Sequence, residues 1–178
     1  MIGCALTPPQ VDVGYHPGAP AAKVADSSMP HVSVEVVDNR KTREVGETIA
    51  TFGIKTADTV TRADVPATLK SAFESELKNR GFIESVDGNT LIVRLGYFRN
   101  VFVQRSFVFE ASASMDLEVS IVSAGGAIPY RKYVTGSAHR TFAVASGGNE
   151  QLMLEAALRD AVSKVFNDPQ FLVALEKS

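Results

Sequence analysis

The stretch FVFEASASMDLEVSIV, residues 107–122, is the feature that most limits what this chain can fold into. All eight odd-numbered positions are apolar, whereas six of the eight even-numbered positions are Glu, Ser or Asp. Successive side chains of a strand point to opposite faces of a sheet, so the pattern predicts a long strand with one buried and one wet face. Further strands over residues 90–103 and 130–144, with short turns between them, predict an antiparallel meander.

Two shorter strands and two helical segments complete the predicted fold. The strands cover residues 31–40 (HVSVEVVDNR) and 47–54 (ETIATFGI), and helices are expected over residues 63–82 and 146–178. Either Ser146 or Asn149 can cap the second helix, which is broken at Asp168-Pro169. The order β-β-α-β-β-β-α-α predicts an α+β, two-layer sandwich. Its mostly antiparallel sheet contains the three-stranded long meander, and two main helices pack on one face.

The first helix has the clearest end signals. Asp64 can cap its N-terminus, Pro66 suits its first turn, and Gly81 suits the left-handed residue that follows a helix. Apolar residues recur every four positions and form one buried face: Leu69, Phe73 and Leu77.

Composition excludes several classes of function. A chain of 178 residues is expected to form one domain, and its net charge of −2 argues against a nucleic-acid partner. The three histidines lie far apart, so no metal site is predicted, and the glycine stretches SAGGA and SGGNE match no nucleotide-binding motif. The sequence therefore indicates no catalytic residue and no cofactor.

The single cysteine, Cys4, follows Ile2-Gly3, and this tripeptide is typical of the end of a bacterial lipobox. On this interpretation Cys4 receives lipid, and Met1 is either an added start residue or a replacement for a residue of the lipobox. The five prolines between positions 5 and 30 favour extended chain over packed structure. We therefore predict a lipobox remnant and tether over residues 1–30 and a single α+β domain over residues 31–178, although VDVGY (11–15) could add an edge strand.

A charged loop after the strand over residues 31–40 is the first candidate for binding. It offers Asp38, Asn39, Arg40 and Arg43, and loops held by a rigid scaffold often carry function. The alternative, which we favour, is that Asp38 and Arg40 pair with each other or with the backbone and fix the turn.

The hairpin YFRNVFVQRSFVF is the second candidate for binding. It places Arg99 and Arg105 near Phe102 and other aromatic residues, a combination found at protein interfaces. The alternative is that the aromatic rings fill the core on one face of the hairpin.

Several of these segments together resemble the YajG family of bacterial lipoproteins. The resemblance rests on the lipobox-like tripeptide, VDVGY, VVDNR, the helix LKSAFESELKNRGF and the long meander, and it covers nearly the whole chain. It implies a Gram-negative envelope protein anchored by lipid on Cys4 in the outer membrane and facing the periplasm. Ala5, in place of Asp, is compatible with export to that membrane. The layout is also similar to the TolB N-terminal domain and to LpoB, which act through protein partners.

Two hypotheses follow from these observations. The favoured one is a lipid-anchored, non-catalytic lipoprotein that binds or assembles an envelope protein or a peptidoglycan-associated partner. A homo-oligomer formed through the sheet edges is a variant of it. The alternative is a soluble, hydrolase-like enzyme, which would need a deep pocket with convergent polar groups.

Overall fold

The computed structural model describes residues 9–17 and 31–176, in which eight strands and three helices form two layers. The strands are β1 (Gln10–Val11), β2 (His31–Asp38), β3 (Gly46–Ile49), β4 (Lys55–Thr61), β5 (Ile83–Glu84), β6 (Asn89–Arg105), β7 (Val108–Val122) and β8 (Tyr130–Phe142). The helices are α1 (Val65–Asn79), α2 (Gly147–Phe166) and α3 (Pro169–Glu176), and a 3-10 turn (Thr51–Gly53) joins β3 to β4.

The long strand β6 organises the sheet. Along one edge it pairs with β7 over its whole length, and β7 pairs with β8, so the predicted antiparallel meander is confirmed. Its other edge is shared by two parallel strands, since β2 pairs with residues 89–95 and β3 with residues 100–103. The short strands β5 and β4 extend this edge, and β1 lies beside β4. The predicted α+β class is therefore confirmed.

The strand predicted over residues 47–54 was too long, and a neighbouring strand was missed. The chain turns at Thr51–Gly53, and β4 (KTADTVT) returns antiparallel to β3. Its two apolar residues, Ala57 and Val60, lie on opposite faces, so the strand lacks the alternation that marks a half-buried strand.

All three helices lie on the face of the sheet that carries the odd-numbered residues of β7. From Ala111 to Ile121 these odd residues are buried, as predicted. The first two positions differ from the prediction: Phe109 is half-buried, and Phe107 belongs to the turn between β6 and β7 and is 95% exposed. The other face of the sheet, here called the open face, carries most of the strand residues with polar side chains.

The predicted helix ends are confirmed by their capping contacts. The Asp64 carboxylate accepts from the Ala67 N–H at 3.2 Å, and the Ser146 hydroxyl accepts from the Asn149 N–H at 3.3 Å. Gly81 adopts a left-handed φ of 93°, which lets Phe82 fold back and pack under the last turn of α1.

The described part of the predicted tether, residues 9–17, is fixed to the domain. An edge strand is present in this region, but it is Gln10–Val11 and overlaps the predicted VDVGY only at Val11. Val11 and Val13 are buried in the core. The Gly14 N–H donates to Glu155 at 3.1 Å, and the Tyr15 hydroxyl donates to Glu76 at 2.8 Å. Cys4 and the lipobox lie outside the described residues.

Candidate functional site

A β-bulge in the middle of β6 decides which side chains reach the open face. Leu95 pairs with Leu117 and Tyr97 with Asp116, so Gly96 is an extra residue without a partner. Before the bulge the odd-numbered residues are buried, whereas after it the even-numbered residues are buried. Tyr97 and Arg99 consequently point to the open face, because a bulge changes the direction of the side chains that follow it.

The same bulge shows that one predicted binding residue was wrong. Phe102 is even-numbered and follows Gly96, so it lies under the sheet and is fully buried. Its ring stacks on Phe142 with centroids 5.6 Å apart, in a cluster with Met153 and Ala157 of α2. Phe102 is therefore a core residue, as the alternative interpretation of this hairpin held.

The loop between β2 and β3 lies directly beside the bulge. Both β2 and β3 pair with the same edge of β6, one after the other. The residues that connect them therefore leave the sheet as a loop. The loop is held at both ends by backbone bonds of 2.8 Å, from the Asn39 N–H to the Leu95 carbonyl and from the Asn100 N–H to the Val45 carbonyl. Loop and bulge are thus held against each other.

Asp38 and Arg40 form the pair that we favoured from the sequence. Arg40 donates Nε–H to Asp38 Oδ1 at 2.9 Å and Nη2–H to Oδ2 at 2.8 Å, and the Arg40 backbone N–H donates to the same carboxylate. These bonds, above all those of the guanidinium, lower the pKa of Asp38 below its usual value. The Arg40 side chain is only 7% exposed, so the pair fixes the loop rather than standing free in solvent.

A depression of about 370 Å³ lies between the loop and the bulge. Arg40 Nη1 and Arg99 Nε are both buried, and neither has a hydrogen-bond partner within the described part of the chain. Arg99 reaches Glu47 only through Nη2, at 3.5 Å. Both arginines line the depression, together with Asn39, Lys41, Thr42, Glu44, Gly96, Tyr97 and Phe98.

A second depression, of about 450 Å³, lies on the other side of Tyr97. Its polar centre is Glu118, which accepts from Arg131 Nε at 2.7 Å and lies 3.4 Å from Arg94 Nη1. Hydrogen bonds from Tyr133 and Arg131 lower the pKa of Glu118, and the bond to Glu118 raises the pKa of Tyr133. The two depressions share Asn39, Gly96 and Tyr97, and we call them together the bulge site.

The bulge site contains some of the residues that the sequence singled out and leaves others outside. Asn39, Arg40 and Arg99 line it, and Asp38 holds Arg40 in place. Arg43 is exposed on the same loop. Arg105 lies apart, at the far end of β6, where it pairs with Glu110 at 3.2 Å.

Sequence reasoning missed three residues of the site, Arg94, Glu118 and Tyr133, whereas Tyr97 begins the hairpin that it named. The one available signal was Gly96, because an isolated glycine inside a strand pattern suggests a bulge.

Another buried acid, Glu150, belongs to the helix side of the sheet. It accepts hydroxyl hydrogen bonds from Thr59 at 2.8 Å and Thr48 at 3.4 Å, and burial raises its pKa. Within residues 9–17 and 31–176, no three metal-ligating side chains cluster, and no helix is long and apolar enough to cross a membrane.

A family model described as "Uncharacterized lipoprotein" matches residues 17–176. The chain belongs to this lipoprotein family. The lipoprotein prediction is therefore confirmed, and membership supports a location in the envelope of a Gram-negative bacterium. The narrower YajG assignment stays a prediction.

One solved structure supports the fold, and a second is similar to a lower degree. A Xanthomonas campestris protein is 11% identical with a TM-score of 0.60, and the match covers 94% of this chain and 96% of that one. A minor lipoprotein from Acinetobacter baumannii is 12% identical with a TM-score of 0.48, with 79% and 92% covered. A search of curated proteins finds no match. The likeness to the Xanthomonas protein extends to the fold alone.

Proposed function

We propose that this protein is a non-catalytic lipoprotein of the outer membrane, anchored by lipid on Cys4, that binds an envelope partner through the bulge site. Family membership supports the lipid anchor, and Ile2-Gly3-Cys4 supports its position in the chain. The pair of unpartnered guanidinium donors beside Tyr97 is the observation that carries the binding role.

The chemistry of the bulge site indicates what the partner must offer. Asp38 and Glu47 already balance the charges of Arg40 and Arg99, so the site presents N–H donors more than net positive charge. Arg40 Nη1 and Arg99 Nε are buried, so a ligand acceptor reaches them only when the two side chains shift toward the depression. A buried N–H group without an acceptor is costly, and an acceptor gained in this way recovers that free energy. Carboxylates and exposed backbone carbonyls, which both envelope proteins and peptidoglycan peptides carry, fit this requirement.

Tyr97 gives the site a surface for contact. It is partly exposed between the two depressions, and Tyr133 is exposed on the neighbouring part of the open face. Tyrosine is enriched at interfaces because it supplies apolar area and a polar end together. The partner is therefore expected to cover Tyr97 while its acceptors meet Arg40 and Arg99.

The lipid anchor can be tested in a Gram-negative host that expresses the protein behind a lipoprotein signal peptide. We expect Cys4 to incorporate a palmitate analogue and the protein to fractionate with the outer membrane. A Cys4→Ala variant should lose all label, since no other cysteine is present. An unlabelled wild-type protein, or a labelled Cys4→Ala variant, would contradict the anchor.

The binding site can be tested by photo-crosslinking in the same cells. With a photoreactive phenylalanine analogue at position 97, we expect one discrete crosslinked product. Arg99→Gln should lower its yield about tenfold, since a hydrogen bond to a charged group is lost. Arg159→Gln, which changes an exposed arginine of α2 on the opposite face of the sheet, is the matched control and should leave the yield unchanged. Equal losses in both variants would mean that the bulge site is not the binding surface.

A further inference from the structure

Two hairpin turns lie side by side at one end of the sheet. Because β3 runs parallel to β6, with Ile49 beside Val103, the turn after β3 lies next to the end of β6. The turn at Thr51–Gly53 contacts β6, and the turn between β6 and β7 closes at the Arg105–Val108 pair. We call this end of the molecule the tip end.

Each turn carries a phenylalanine that makes almost no contact with the protein. Phe52 and Phe107 are both 95% exposed. Ile54, Val108 and Val144 are exposed beside them and extend the apolar surface. Rings this exposed add nothing to the core, and an apolar cluster at the surface is typical of an interaction site.

Phe52 also adopts a backbone conformation that disfavours its side chain. Its φ of 69° lies in the left-handed region, where a bulky residue is a rare outlier and glycine has no steric penalty. Gly53 beside it is left-handed as well, with φ of 77°. A phenylalanine kept in this position with almost no packing contact points to a role outside the fold.

The direction of β1 determines which end of the molecule its N-terminal end faces. Since β1 is parallel to β4, and β4 is antiparallel to β3, the N-terminal end of β1 points toward the tip end. The Val60 N–H donates to the Pro9 carbonyl, and Lys55, at the tip end of β4, is about 17 Å further along that strand. The five residues from Pro9 back to Cys4 span up to about 17 Å when extended. A lipid on Cys4 can therefore lie level with Phe52.

We propose that Phe52 and Phe107 insert into the bilayer that holds the lipid of Cys4, so that the protein stands on its tip end. This inference rests on the lipid anchor proposed above. Lys55 and Arg105 flank the two turns with half-exposed side chains, which suits the headgroup region, where cations stay hydrated while aromatic rings enter the acyl boundary. Gly96, at the bulge, lies nine residues along β6 from Arg105, which corresponds to about 30 Å in a strand. Docking by the tip end would therefore hold the bulge site about 30 Å above the bilayer.

The docking can be measured without relying on lipidation in cells. Cys4 is the only cysteine, so it can be coupled to a maleimide lipid in phosphatidylcholine vesicles. The chain has no tryptophan, so Phe52→Trp or Phe107→Trp adds a single fluorescent reporter. We expect both reporters to shift to the blue on coupling, and brominated phosphatidylcholine to quench about half of their emission.

Val86→Trp is the matched control, because Val86 is 87% exposed in the turn at the opposite end of β6. Its emission should stay that of a water-exposed residue. A double variant, Phe52→Ser and Phe107→Ser, that also carries the Val86→Trp reporter should lose its fixed orientation on the vesicle. Its reporter should then be quenched more than in the single Val86→Trp protein, because either end of the molecule can meet the bilayer.

Unquenched reporters at both tip positions would overturn the proposal. A blue shift that grows with protein density, without bromolipid quenching, would overturn it too, since a second copy would then cover the tips. Because the coupling supplies the anchor, a protein that docks here but is not labelled at Cys4 in cells contradicts only the proposed anchor. A labelled protein that does not dock contradicts only this inference.

Discussion

Gly136→Ala is expected to lower the free energy of unfolding by about 3 kcal/mol, at the upper end of the usual cost of overpacking. Helix α2 crosses β8 so closely at this residue that a Cβ atom on Gly136 would lie 2.2 Å from the Ala157 carbonyl oxygen. It would also lie 2.5 Å from the Ala161 backbone nitrogen. These backbone atoms cannot rotate away, so the whole helix would have to move from the sheet. Urea unfolding followed by circular dichroism measures the change.

The matched control for this substitution is Gly148→Ala, in the first turn of α2. A Cβ atom there meets nothing within 4 Å, so the change should be neutral or stabilise by up to about 1 kcal/mol. A Gly136→Ala protein as stable as the wild type would show that α2 does not pack on β8 this closely.

Phe166→Ala is expected to cost about 4 kcal/mol, in the range for a large side chain removed from a core. The fully buried ring joins all three helices, with centroid distances of 5.5 Å to Phe73 of α1 and 5.3 Å to Phe171 of α3. The guanidinium of Arg80 lies 4.6 Å above the same ring and loses its aromatic partner in the variant. Urea unfolding of wild type and variant, under the same conditions, gives the difference.

Phe107→Ala removes the same atoms from a position that is 95% exposed, so it serves as the control for the ring at position 166. We expect its effect on stability to stay within about 0.5 kcal/mol of zero. Equal losses in the two variants would mean that the three helices do not meet at Phe166. A large loss at Phe107 would also remove the argument that this ring is free for the membrane.

Patterns of apolar residues that repeat along one segment were predicted correctly. Each apolar residue in the pattern indicates the same buried face, so the indications add up. The alternation in β7 identified the buried residues from Ala111 to Ile121, and the stripe of α1 identified Leu69, Phe73 and Leu77. The caps at Asp64 and Ser146 were also predicted, since a cap involves only neighbouring residues. The pairing of Asp38 with Arg40 is local in the same sense.

Features that depend on distant partners were missed or misplaced. Strand β4 has little alternation and is recruited by its pairing with β3 and β1. The buried position of Phe102 follows from the single extra residue Gly96, which reverses the faces for the rest of β6. A bulge adds one residue without changing composition, so the alternation on either side cannot show by itself where the reversal occurs.

The candidate site is a second example of this limit. Asn39, Arg40 and Arg99 were named from two separate segments, but nothing in either segment showed that they would line one depression. They meet because β2 and β3 pair with the same edge of β6. This parallel pairing joins residues that are more than fifty positions apart in the sequence. Tyr97, Arg94, Glu118 and Tyr133 joined them through cross-strand pairing with β7 and β8.

The sequence by itself determined the α+β class, the meander, the helix ends and the lipobox-like cysteine, because periodicity, capping and short motifs are properties of neighbouring residues. Only the tertiary structure decided that residues 9–17 pack on the domain and that the bulge directs Tyr97 and Arg99 to the open face. It also decided that Phe52 and Phe107 both lie at the tip end. Those outcomes depend on strand order and register, which are chosen by the total burial of the core and not by any single segment.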